Sequence, residues 1–145
     1  MGLPRSRRVW QFATMNPPSV PGISEIGQVA IVVGDVARAT AFYRDVLGLK
    51  FLFPAGPTMA FLAAGTVRIM LTTPQGAGEV GKNSILYFRV ADIRAAHAAI
   101  VARGAQPAGA PRLIARMPDH ELWMAAVRDP EGNVIELMSE VRPPA

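Results

Sequence analysis

Apolar and polar positions along this chain follow a pattern that runs once and then starts again. Residues 28–33 (QVAIVV) form a short, partly β-branched apolar run of the kind that suits a buried strand. Gly34 breaks the run, and Asp35 stands where a helix N-cap is expected. Val36, Ala39, Phe42, Tyr43, Val46 and Leu47 then recur at helical spacing, which predicts a helix over 36–47 with Arg38, Arg44 and Asp45 left for water. Gly48 supplies the stop. Strands are predicted at 50–53, 59–62 and 67–72, with Pro54, Pro57 and Gly65 marking the turns.

Residues 73–83 (TPQGAGEVGKN) read as a loop, after which the order returns. A strand is expected at 84–90, a break and cap at Ala91 and Asp92, and a helix over 93–103 stopped by Gly104. The Pro/Gly-rich stretch from Pro107 to Pro111 reads as a loop. Strands follow at 113–116, 122–127 and 134–138, the last two joined by a turn at 129–132. Val33-x-Asp35-Val36-x-x-Ala39 recurs as Val90-x-Asp92-Ile93-x-x-Ala96, 57 residues later. Two copies are too few for a solenoid and point to a duplicated supersecondary unit. The expected fold is α+β: two βαβββ repeats forming a curved eight-stranded mixed sheet around a cleft, with helices outside. This places one domain at 25–141, in units 25–74 and 83–141, with a tail at 142–145. Residues 1–24, with Pro17, Pro18 and Pro21, read as a disordered lead-in.

At 145 residues the chain is the size of one domain with a sizeable core. It has no cysteine, which removes disulfides, thiolate nucleophiles and Cys-based zinc sites. The net charge of +4 owes much to Arg5, Arg7 and Arg8; the chain after residue 14 carries 12 basic against 11 acidic residues. It shows no basic run or aromatic-basic stripe that would track phosphates, so a nucleic-acid partner is not expected. No apolar run approaches the roughly 20 residues that span a membrane. The charged start lacks a following apolar segment, so it does not read as a secretory signal, and Met15 is an alternative beginning. A cytoplasmic location is expected.

Two segments resemble a known family. Residues 28–35 (QVAIVVGD) leading into 41–49 (AFYRDVLGL), together with 128–137 (RDPEGNVIEL), are similar to the glyoxalase / bleomycin-resistance / extradiol-dioxygenase type, the vicinal oxygen chelate superfamily. The resemblance covers about residues 25–141. It implies a glyoxalase-like fold, a small oxygenated metabolite in the cleft, a homodimer, and chemistry ranging from lyase, isomerase and dioxygenase activity to drug binding without catalysis. It also implies a divalent ion held by four residues, two per repeat, acting as a Lewis acid. Carried over one by one, those positions are Gln28, Met70, Ile85 and Glu136. Gln28 and Glu136 match ligands; Met70 and Ile85 do not. The metal set is incomplete, and a metal-independent reaction or a purely binding role stands beside the metal-dependent one.

Glu136 is then the leading candidate, as a cleft general base or as a strand carboxylate paired with arginine. By strand alternation Arg68 shares a face with Met70, and Arg89 shares one with Ile85 and Tyr87. Both arginines are candidates to neutralise Glu136 or hold an anionic substrate, or else solvated residues at strand ends. His120, just ahead of a strand, is a candidate acid-base group at the cleft mouth or a solvated loop residue. Trp123 and Tyr87 are candidate pocket walls beside Gln28, Met70 and Ile85, with core packing the alternative for Trp123. Tyr43 reads as core.

Overall fold

The structure, a computed structural model, describes residues 22–144. The lead-in predicted for 1–24 falls almost wholly outside the described residues. Strand β1 (Gln28–Val32) is followed by α1 (Val36–Ala41), which passes without a break into a π-helical turn (Phe42–Val46). Then come β2 (Lys50–Pro54), β3 (Met59–Ala64) and β4 (Val67–Thr72). The second unit repeats the order as β5 (Leu86–Arg89), α2 (Ile93–Ala102), β6 (Gln106–Arg116), β7 (Glu121–Arg128) and β8 (Val134–Val141).

The predicted repeat is present in atomic detail. Asp35 caps α1 by accepting from the Arg38 amide at 3.0 Å, and Asp92 caps α2 by accepting from the Ala95 amide at 3.1 Å. Gly48 and Gly104 follow the two helices at φ 80° and 110°, values that a side chain would strain. The eight strands form two four-stranded sheets with the same topology, β1-β4-β3-β2 and β5-β8-β7-β6. In each, the first strand pairs parallel to the fourth and the other ladders are antiparallel.

Two local expectations are corrected. The helix over 36–47 is not regular throughout. The Leu47 amide reaches back to the Phe42 carbonyl at 3.0 Å, five residues away. This wider turn lets the neighbours Phe42 and Tyr43 both enter the core, ring against ring at 83°. The stretch 107–111, read as a loop, belongs to β6, which begins at Gln106. β6 is an edge strand, so Pro107 and Pro111 can sit in it without breaking an interior ladder, and its pairing with β7 shifts register three times.

One face of each sheet is packed. Ile31, Leu62, Ile69 and Leu71 from the first sheet join Ala125, Val127, Ile135 and Leu137 from the second, with Phe42, Tyr43, Ile93 and Ile100 from the helical segments, in one core. The opposite faces are open, and they carry the alternate residues of each strand.

Polar side chains tie the units together beneath this core. The Asp129 carboxylate, buried in the turn between β7 and β8, accepts four hydrogen bonds: from the Tyr43 hydroxyl (2.8 Å), the Asn133 amide nitrogen and side chain (2.8 Å each) and the Glu131 amide (2.9 Å). Burial and the Asp129 charge hold the Tyr43 hydroxyl far above its ordinary range, so it stays a donor. Asn83, in the linker, pairs with the Val32 amide and carbonyl at 3.0 and 3.1 Å and donates to the Asn133 side-chain oxygen at 3.1 Å. We expect Tyr43→Phe to cost about 2 kcal/mol, the usual scale for a hydrogen bond to a buried charge. Urea denaturation measures it; an unchanged midpoint would show that the Asp129 contact carries no stability.

Candidate functional site

The open faces hold most of the residues singled out from the sequence. On the first sheet, Gln28 pairs with Arg68 and Ala30 with Met70 across β1 and β4, and Met70 pairs with Phe61 on β3. The Gln28 side-chain nitrogen points at the Met70 sulfur at 3.6 Å, and the Arg68 guanidinium lies 5.6 Å from the centre of the Phe61 ring. On the second sheet, Tyr87 pairs with Glu136 and Arg89 with Met138 across β5 and β8. Ile85 precedes β5 and is exposed. Across β7, Glu136 pairs with Ala126 and Met138 with Met124.

Glu136 is the unusual group. Its side chain is 13% exposed, and its Oε2 is buried without a hydrogen-bond partner among the described residues. The nearby cation is Arg112 of β6, whose guanidinium nitrogen lies 3.8 Å from Oε1. That separation suits charge attraction and is too long for a good hydrogen bond. Neither arginine expected to neutralise Glu136 does so: Arg89 lies 3.8 Å from Glu140, and Arg68 lies over Phe61. Arg112 was hidden because it falls between the stretch 107–111 read as a loop and the strand expected at 113–116. Once β6 begins at Gln106, the pairing of Arg112 with Met124 puts it on the Glu136 face.

Two further candidates lie elsewhere. Trp123 pairs with Ser139, on the packed face of the sheet rather than the face of Glu136. Its ring sits under Arg94 at 5.4 Å, and its indole N–H donates to Glu121 at 3.3 Å. His120 lies at the tip between β6 and β7, next to Glu121, which pairs with Val141. Val141 is five residues beyond Glu136, or about 17 Å along a strand. There the His120 ring meets Asp119 at 2.8 Å, and Arg142 meets Asp119 at 2.6 Å and Glu140 at 3.1 Å. His120 and Glu136 therefore do not form one acid-base pair. No hydrogen bond or ion pair among the described residues joins the open face of the first sheet to that of the second. A cavity of about 550 Å³ opens where the units meet, lined by Val29, Ile69, Leu86 and Phe88 together with the candidates Tyr87 and Arg89. Its wall is mostly apolar, with Tyr87 and Arg89 the polar members and no acid among its lining residues.

The donors at these positions do not make a metal site. Ile85 offers none. Met70 offers a thioether that already faces Gln28. Glu136 has a guanidinium beside Oε1, where an added cation would meet like charge. Among the described residues no three of His, Cys, Asp or Glu cluster. The residues present do not fit the ion of the resembled enzymes.

Comparison with known proteins agrees with the fold. The model of the Glyoxalase/Bleomycin resistance protein/Dioxygenase superfamily matches residues 25–137, and the chain belongs to that superfamily. No curated protein sequence matches it. Similar solved structures include lactoylglutathione lyase from Agrobacterium tumefaciens, 24% identical with a TM-score of 0.66 over 81% of this chain and 94% of that one. A virulence protein from Salmonella typhimurium is 23% identical with a TM-score of 0.68, over 82% and 98% of the two chains. TnmS3, an antibiotic binding protein from Streptomyces sp. CB03234, is 22% identical with a TM-score of 0.66, over 82% and 98%. At these identities the likeness is one of fold. No helix among the described residues is long and apolar enough to cross a membrane.

Two outcomes are expected. Titration of nickel, zinc, manganese or ferrous iron into chelator-treated protein should show no stoichiometric binding at micromolar metal; tight one-to-one binding would overturn the donor assignment. The hydrogen bond from Arg142, followed by the one with His120, lowers Asp119 to about 2 from the ordinary 3.8. The charged pair therefore persists as pH falls past 3.8 and is lost through pH 2. In an NMR titration, Arg142→Ala should raise the Asp119 midpoint toward the ordinary value, and an unmoved midpoint would refute that cause.

Proposed function

We propose that this protein binds a small, partly apolar, oxygenated molecule on the open face of its second sheet, with Glu136 as the polar anchor. The observation that carries the reading is the buried, unpartnered Oε2 of Glu136. A buried acceptor left unpaired costs about 1–3 kcal/mol, which a hydroxyl donor on a ligand recovers. Around it the half-buried Met124 and Met138 offer apolar surface, and Tyr87 offers a ring. Methionine side chains adapt to ligands of varied outline, which suits a binding surface.

The family spans catalysts and binders, and the donor set favours the binder here. Ordinary metal-dependent lyase, isomerase or dioxygenase chemistry would need ligands that Met70 and Ile85 do not supply. Glu136 would also serve as a proton acceptor for a bound substrate without metal. His120, the other expected acid-base residue, is too distant to complete that role.

The test uses protein labelled at its methionine methyl groups and a panel of small hydroxylated aromatic compounds, neutral and acidic. At least one compound should move the Met124 and Met138 signals saturably, and Glu136→Ala should weaken it tenfold or more, about 1.4 kcal/mol. If no compound moves these signals, or if the variant binds equally well, this reading fails.

A further inference from the structure

Arg112 narrows the ligand class at the site proposed above, and the inference rests on that reading. Its side chain is 47% exposed, lies on the open face through its pairing with Met124, and approaches Glu136 Oε1 no closer than 3.8 Å. Among the described residues the guanidinium donates no hydrogen bond, although it carries five donors in a planar fork. Two neighbouring groups are thus incompletely matched in opposite senses. Glu136 has an acceptor in need of a donor, and Arg112 has donors in need of an acceptor.

The backbone leaves space for this arrangement. Gly109 pairs with Ala126, beside Glu136, and a Cβ at Gly109 would stand 3.0 Å from an Arg112 guanidinium nitrogen. Any larger residue there would push the guanidinium away. Gly109 does not take a positive φ, so the space, not the backbone conformation, is what a side chain would disturb.

We infer that the ligand is a carboxylate with a hydrogen-bond donor on the adjacent carbon, such as a 2-hydroxy acid carrying an apolar group. Its carboxylate accepts from the Arg112 fork, and its hydroxyl donates to Glu136 Oε2. The hydroxyl proton lies between two carboxylates that would otherwise repel each other. The apolar group lies over Met124 and Met138. A neutral diol satisfies Glu136 and leaves Arg112 unmatched; a carboxylate without the hydroxyl does the reverse and meets the Glu136 charge.

The experiment compares mandelate, 1-phenylethane-1,2-diol and phenylacetate, three probes with a shared phenyl group, by the same methyl signals and by calorimetry. Mandelate should bind at least tenfold tighter than either of the others. Arg112→Met should erase the preference for mandelate over the diol, and Gly109→Ala should reduce it several-fold. Equal affinity for mandelate and the diol in the unsubstituted protein, or tighter diol binding, overturns the carboxylate inference and leaves the binding role of Glu136 standing. Saturable shifts with phenylacetate as strong as with mandelate overturn the need for the donor. Binding of none of the three at millimolar concentration overturns the inference; whether other panel compounds bind decides the broader reading separately. The comparison within the unsubstituted protein decides the matter even if a variant fails to fold.

Discussion

A buried carboxylate has to be neutralised by hydrogen bonds or it will not stay buried as a charge, and Asp129 meets that demand with donors from both halves of the molecule. Two come from Asn133 and one from Glu131, within its own turn, and the fourth is Tyr43, delivered by the first unit. The π-helical turn that seats Phe42 and Tyr43 side by side is therefore linked to the turn that launches β8. Asn83 extends the network to the end of β1. The mutual placement of the two sheets rests on this chain of amides and hydroxyls as well as on the shared apolar core.

Glu136 is the counterpart of Asp129. Both are acids on the strands or turn at the end of the chain, and only seven residues separate them. One is saturated by its own structure, while the other keeps an oxygen without a partner and a guanidinium at charge-pair distance. The contrast separates a residue that builds the fold from one that the fold holds ready. It also explains why the RDPEGNVIEL segment is informative at two levels: its first part organises the turn, and its glutamate faces the open sheet.

Much of the architecture is legible in the sequence. The 57-residue repeat, the two aspartate caps and the glycine stops are local chemistry, and local chemistry is written in single residues. What stayed hidden depends on partners distant in sequence. β6 was obscured by prolines whose tolerance depends on its being an edge strand, a property of sheet order. Arg112 was lost with it. Trp123 stays open between pocket and core in the sequence because nothing in its own segment says which face of β7 is packed; the ladder to β8 decides for the core. The π-helical turn has an α-helical apolar pattern, and its wider loop shows only in the hydrogen bonds. Among the site candidates, Glu136, Tyr87 and Arg89 share a face as alternation required, whereas the charge partner of Glu136 lay outside any segment read as strand.

The prolines of β6 have a consequence at the scale of many molecules. Pro107 and Pro111 lie on an outer strand, and neither has an N–H to offer an approaching strand. Repeated shifts in register also interrupt the regular spacing of the remaining donors and acceptors. That margin is a poor template for another extended chain, so crowding should find it resistant to strand-by-strand accretion.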